Sequence, residues 1–156
     1  MGLLYEDAKY HNCVFVGRDG TGKVVFAAKR GTYDCGGSFR QDVAGSNKRV
    51  AFRLPCNPAL NRVAAFEAPI DLMSWFTLYG WANAIALCGL YEGPLDTYLQ
   101  ENPQIKYIFL CLDADGPGQE AAGRLVEKYG QQGYAASYKP PPCGKDWNEY
   151  LQQRVT

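Results

Sequence analysis

Asp113 and Asp115 stand two residues apart in CLDADGPGQEAA, directly after the apolar run Tyr107-Ile-Phe-Leu-Cys-Leu112. That run has the length and β-rich composition of a fully buried strand, and the glycines and proline beyond it open a stretch with helical spacing. Two carboxylates at i and i+2 on the rim of a buried strand repel each other, and a hard cation between them relieves the repulsion. Taken alone, the D-x-D reads equally well as a helix amino-cap with a solvated turn. Further acids change the balance. Glu67 closes the strand-like run Arg62-Val-Ala-Ala-Phe66 with Asp71 one helical turn on, and Asp146 follows a last strand in Gly144-Lys-Asp-Trp-Asn148. In open α/β sheets ligands bind outside the carboxyl ends of the strands, so three acidic rims are expected to converge there. Convergent carboxylates suit Mg²⁺ (or Mn²⁺), which takes one or two protein ligands, keeps its waters and binds substrate phosphates. The chemistry implied is phosphoryl transfer.

Other motifs carry less. Gly17-Arg-Asp-Gly-Thr-Gly22-Lys23 has the spacing of a phosphate-binding loop, but Val24 stands where a hydroxyl should meet magnesium, and a strand rather than a helix follows. It reads as a hairpin turn. The D-x-D-G run opens like a calcium loop, yet Arg124 occupies the position of the bidentate Glu. Haloacid-dehalogenase phosphatases need a Thr where Pro117 sits. His11 is the only histidine and has no obvious partner in sequence, which disfavours histidine-based chemistry. The six cysteines are scattered without a C-x-x-C pair, which fits reduced thiols in a cytoplasm better than zinc.

The elements that must position the acids change character along the chain. Cys13 to Leu54 reads as β: Cys13–Val16, a turn at Arg18–Gly22, Lys23–Ala28, a glycine-rich loop through Gly36-Gly37 and Gly45–Lys48, then Arg49–Leu54 as a half-buried alternating strand. From Arg62 onward strands and helices alternate: a helix over Ile70–Tyr79 with Pro69 in its first turn, a strand at Ala84–Leu87 and a helix at Pro94–Gln100. The D-x-D strand and its helix, ending at Gly130, come next, then a strand at Tyr134–Tyr138 and a helix at Asp146–Gln153. Such alternation predicts a mainly parallel sheet covered on both faces. The predicted division is a basic β-rich part over residues 1–58 and an α/β part over 59–156. With 16 basic and 16 acidic residues the formal charge is zero, so a nucleic-acid partner must be held by a local patch. Lys29, Arg30, Lys48 and Arg49 are the candidates, each of them singly also explained as a solvated face. No run approaches the ~18 apolar residues of a membrane span, and no signal peptide opens the chain, so a cytoplasmic protein without membrane contact is expected.

Taken together, Glu67 in FEAPIDLMS, Asp113 and Asp115 in CLDADGPGQEAA and Asp146 in GKDWNEYL resemble the Toprim family, the catalytic fold shared by topoisomerases and primases. In primases the Glu is followed by Gly, with an Asp four positions on; Asp71 matches the Asp, and Ala68 replaces the Gly. GRDGTGKVVFAAKRGT and GSNKRVAFRLP resemble the basic subdomain that precedes Toprim in primases, and the layout is most similar to primase-like proteins of bacterial mobile elements. The resemblance implies a Toprim-like (Rossmann-like) α/β fold with a small β-rich subdomain in front. It implies Glu67 as general acid/base or metal ligand, Asp71, Asp113, Asp115 and Asp146 around one or two Mg²⁺, and Lys29, Arg30, Lys48 and Arg49 on template or nucleotide. The implied partners are DNA, single-stranded, nucleoside triphosphates for primer synthesis, and a relaxase or helicase. A metal-dependent nuclease on the same acids and a non-catalytic DNA-binding scaffold stand as alternatives. A receiver-type phosphoacceptor domain fits Lys139 but not the spacing of Glu67 and Asp71.

Overall fold

The computed structural model describes residues 2–33, 39–80 and 82–155. The expected loop at Gly36-Gly37 lies outside them. Two sheets form. An antiparallel one has the order β1 (Leu4–Glu6), β2 (Cys13–Arg18), β3 (Val24–Arg30), β4 (Arg40–Asp42). A parallel one has the order β6 (Ala84–Ala86), β5 (Arg62–Phe66), β7 (Tyr107–Cys111), β8 (Ala135–Tyr138). Among the described residues four helices accompany the second sheet: α1 (Pro69–Tyr79), α2 (Gly93–Glu101), α3 (Gly116–Gln131) and α4 (Trp147–Val155). None of the helices among the described residues is long and apolar enough to cross a membrane. β1 and β4 are three residues each and too polar to announce themselves by alternation.

Each central strand is apolar on both faces because each face meets a different layer. Val63, Ala65, Ile85, Ile108 and Leu110 pack with Leu95, Tyr98, Ala122, Leu125 and Tyr129 of α2 and α3. Ala64, Phe66, Ala84, Ala86 and Cys111 pack with Leu72 of α1 and Trp147 and Tyr150 of α4. Phe15 of β2 and Phe52 join this second layer, their rings edge-on at 5.4 Å, so the antiparallel sheet is fastened to the parallel one through its core. Burying a side chain such as Phe66 or Leu110 contributes about 1.5–3 kcal/mol.

Arg49–Leu54 departs from expectation. It is not a half-buried strand of the first sheet: Val50, Ala51 and Phe52 are all buried in succession. The segment runs along the outer edge of β6, where Ala86 N–H donates to Phe52 O at 2.8 Å and Leu54 N–H donates to Ala84 O at 3.0 Å. A wedge between two sheets is covered on both sides, so the alternation of Arg49, Phe52 and Arg53 does not report an exposed face. Arg53 turns inward, donating to Arg18 O and to the Glu101 carboxylate at 2.6 Å. α3 also runs past Gly130 to Gln131, and Gly133, with φ 90°, makes the turn into β8.

The hairpin turn between β2 and β3 is as expected. The Thr21 and Lys23 N–H groups donate to the Asp19 carboxylate and the Gly22 N–H to its carbonyl, so the donors a phosphate would need are already engaged. Gly17, at the bulge where β2 and β3 slip register, lies so near the wedge that an added Cβ would sit 2.5 Å from Ala51 O. Gly17→Ala is expected to cost about 1–3 kcal/mol by forcing the wedge off β6. Urea unfolding should show the midpoint falling with an unchanged slope.

Candidate active site

The carboxyl ends of β5 and β7 and the start of α4 open onto one cleft of about 250 Å³. Glu67, Asp71, Asp113, Lys145 and Asp146 line one wall, and Lys29, Arg30, Arg40, Gln41 and Asp42 of β3 and β4 line the other. Chain geometry explains the acidic wall. β5 and β7 are parallel neighbours with Phe66 opposite Cys111, so the residues that follow them, Glu67 and then Asp113, leave the sheet at one edge. Pro69 starts α1 two residues after Glu67, with Ala68 as its N-cap, which puts Asp71 in the first turn of a helix, where the dipole favours a carboxylate.

Three of the aspartates spend one carboxylate oxygen on the scaffold. Asp115 caps α3 by accepting the Gly118 N–H at 2.9 Å. Asp146 does the same for α4, accepting the Glu149 N–H at 2.7 Å. Asp71 accepts the Asn148 N–H at 3.1 Å, which ties α1 to α4. The helix-cap and site readings of the D-x-D are therefore compatible, because a carboxylate that caps with one oxygen still presents the other. Asp113 is held through its main chain instead, its carbonyl accepting the Tyr138 hydroxyl at 2.9 Å. Between the two acids, the Ala114 N–H donates to Lys145 O at 2.7 Å, which docks the α4 loop onto the D-x-D turn.

The electrostatics are those of carboxylates crowded into a half-dry cleft. Burial raises Glu67, and the charges of Asp113 and Asp115 add to the rise. Burial and Asp146 likewise raise Asp113, against the pull of Lys145 and Arg40. Burial, with Asp146 adding its charge, pushes Asp71 up to about 7 despite its bond from Asn148. Asp115 goes the other way, held low by the Gly118 N–H and by Lys145. A carboxylate raised toward neutrality is a better proton acceptor than an ordinary one. Cys88, on the cleft wall, is a poor nucleophile, since burial pushes its thiol up to about 12.

The donor set is all oxygen, which suits a hard divalent cation. Among the described residues no three His, Cys, Asp or Glu side chains form a ready-made cage. Mg²⁺ is bound by one or two carboxylates plus waters and substrate rather than by an all-protein shell. Asp113, Asp115, Asp71 and Asp146 are the carboxylates gathered at this rim.

Of the basic candidates, Lys29 and Arg30 line the cleft, Lys29 also pairing with Asp7 at 3.2 Å. Lys48 sits at its margin, paired with Asp42 at 3.1 Å, whereas Arg49 lines a different groove with Asp96 and Lys128. His11 has a partner after all, the Glu6 carboxylate, on the exposed surface. Sequence reasoning missed Arg40, Gln41 and Lys145. β4 was too short to be read, and Lys145 was passed over beside Asp146, although GKD put a cation next to a rim acid.

A family model for Toprim-like proteins matches residues 64–151, and one described as a protein of unknown function (DUF3991) matches residues 1–58. The uncharacterized protein MG010 of Mycoplasma genitalium is 30% identical over 90 residues, 57% of this chain and 41% of that protein. A DNA primase domain from Pseudomonas aeruginosa has a similar structure, with a TM-score of 0.67, 20% identity, and coverage of 97% of this chain and 52% of that one. The primase fragment of the bacteriophage T7 primase-helicase gives a TM-score of 0.67 at 17% identity, over 98% of this chain and 66% of that one. A DnaG primase catalytic domain bound to single-stranded DNA gives 0.67 at 19%, over 97% and 52%. The chain thus spans between two fifths and two thirds of the length of these relatives.

Two outcomes are expected from this geometry. A Cβ on Gly118 would lie 2.2 Å from Asp113 O, so Gly118→Ala should displace the D-x-D turn and weaken Mn²⁺ binding by about tenfold or more in a calorimetric titration, with helix content by circular dichroism retained. The raised Asp71 has a signed consequence. In metal-free buffer the unfolded chain releases this proton near its ordinary value of 3.8 and the folded chain near 7. Ionising it is therefore a cost of the fold, and stability should fall as pH rises across that window, by roughly 2–4 kcal/mol. Asp71→Asn should flatten the fall in urea titrations between pH 4.5 and 7.5.

Proposed function

Because the chain belongs to the Toprim-like family, we propose that its cleft carries out Mg²⁺-dependent (or Mn²⁺-dependent) phosphoryl transfer on DNA, with primase-like nucleotidyl transfer as the reaction. The observation that carries this reading is the single cleft with a raised Glu67 beside Asp113 on one wall and Lys29, Arg30 and Arg40 on the other. A basic wall suits a phosphate backbone or a triphosphate, and an acidic wall suits the cation between those phosphates and the protein. The fold shared with primases supports it, and so does the bound single-stranded DNA named for the DnaG domain.

In this mechanism Asp113 and Asp115, with Asp71 and Asp146 nearby, would supply the one or two carboxylate ligands of the cation and the remaining negative charge around it. When bound, Mg²⁺ neutralises phosphate charge and aligns the attacking and leaving oxygens. Glu67 accepts the proton of the attacking 3′-hydroxyl as its oxygen bonds to the α-phosphorus. The bond from that phosphorus to the bridging oxygen breaks, and pyrophosphate leaves. Lys29, Arg30 and Arg40 hold the template strand and the incoming nucleotide against the rim. Lys48 extends this path at its margin. The setting that fits such chemistry is replication or mobilisation of a mobile element.

Single-stranded DNA, nucleoside triphosphates and Mg²⁺ or Mn²⁺ should yield extended product on a denaturing gel. Glu67→Gln should lower its rate by about a hundredfold or more, while DNA binding by anisotropy is retained. Product that persists in Glu67→Gln sinks the role of Glu67. Shortened strands in place of extended ones identify a nuclease on the same acids, and salt-sensitive binding with neither product identifies a DNA-binding scaffold.

A further inference from the structure

Lys145 holds a place between the two acids that the reading above assigns to the cation. Its Nζ lies 3.3 Å from Asp115 Oδ2 and 3.8 Å from Asp113 Oδ2. Asp115 Oδ1 is already engaged by the Gly118 N–H, so the oxygen that Lys145 contacts is the one Asp115 has left to offer. The rest of the residue is fixed. Its carbonyl accepts the Ala114 N–H at 2.7 Å, and its N–H donates to Glu149 Oε2 at 2.5 Å. Main chain pinned on two sides carries a side chain that is 58% exposed, on a flexible four-carbon stem. Such a side chain can leave its partners without disturbing the turn that positions them.

An ammonium and a divalent cation cannot share one pair of carboxylate oxygens, because two positive charges a few ångströms apart repel. Resting on the site reading above, we propose that Lys145 is a resident counter-ion that competes with the divalent cation for Asp113 and Asp115. In metal-free protein its charge holds the two acids together, with Arg40 opposite and Glu67 and Asp146 adding negative charge. In metal-loaded protein the ammonium is released into the mouth of the cleft, where it faces the phosphates of the substrate. Cation loading and the appearance of a free ammonium are thus one event.

The competition has a sign that a purely structural lysine would not show. Mn²⁺ is titrated into the full chain by calorimetry for the wild type, Lys145→Met, Lys145→Arg and the double variant Asp113→Asn/Asp115→Asn. Removing an exposed pair of ion contacts should let Lys145→Met bind Mn²⁺ about three- to tenfold more tightly. Lys145→Arg keeps the charge and should stay near the wild type. A second measurement uses unaltered protein: acylation of lysines by an amine-reactive ester, mapped by mass spectrometry, should rise at Lys145 when Mn²⁺ saturates and stay level at Lys106. Equal or weaker Mn²⁺ binding by Lys145→Met, or labelling of Lys145 indifferent to Mn²⁺, overturns the proposal while leaving the metal site standing. Mn²⁺ binding that survives in the double variant overturns the site reading itself.

Discussion

Carboxylates gathered at one edge of a parallel sheet are the constraint on which the rest of this protein depends. Glu67, Asp71, Asp113 and Asp146 line one cleft of about 250 Å³, and burial and mutual repulsion raise the first three. Left alone, such a cluster would favour opening of the edge. It persists because cations meet it from outside the sheet, Lys145 from the α4 loop and Arg40 from β4. The pKa pattern has the same origin: burial and neighbouring carboxylates outweigh the Asn148 N–H at Asp71 and Lys145 at Asp113, whereas the Gly118 N–H and Lys145 together hold Asp115 low.

Holding those acids is a task for the scaffold more than for their neighbours in sequence. Parallel pairing of β5 with β7 sets the level at which Glu67 and Asp113 emerge. Two helix starts and a cross-element bond then fix the aspartates by one oxygen each, through Gly118, Glu149 and Asn148. The antiparallel sheet is joined to this frame by Phe15 and Phe52 inside the second core layer. Its β3 and β4 therefore stand at a set distance across the cleft, so the basic wall is part of the same rigid packing as the acidic one. Arg53 reinforces the joint from the far side, bridging Arg18 and Glu101.

Much of this was legible beforehand. Apolar runs bounded by turn residues located β2, β3 and β5 to β8, and Pro69 marked the start of α1. The rim acids followed from one rule, that residues just past the carboxyl end of parallel strands face the ligand. Where reading failed, it failed for identifiable reasons. Arg49–Leu54 has a strand's alternation but lies as a wedge between two layers, and only the neighbours of Val50 and Ala51 reveal that both faces are covered. β4 comprises Arg40, Gln41 and Asp42, three polar residues whose strand character comes wholly from pairing with β3.

By itself the sequence determined which residues close strands and which open helices, and therefore that Glu67, Asp113, Asp115 and Asp146 belong at one edge. That information is local, written in periodicity, proline and glycine. Only the tertiary structure decided what stands opposite them. Lys29 and Arg30 face the acids and Arg49 does not, although all three are basic residues of the same half of the chain. Lys145 sits between the two aspartates because its carbonyl is hydrogen-bonded to Ala114, 31 positions earlier. Such placements follow from how two sheets and a loop pack against one another, and no spacing along the chain encodes a distance of that kind.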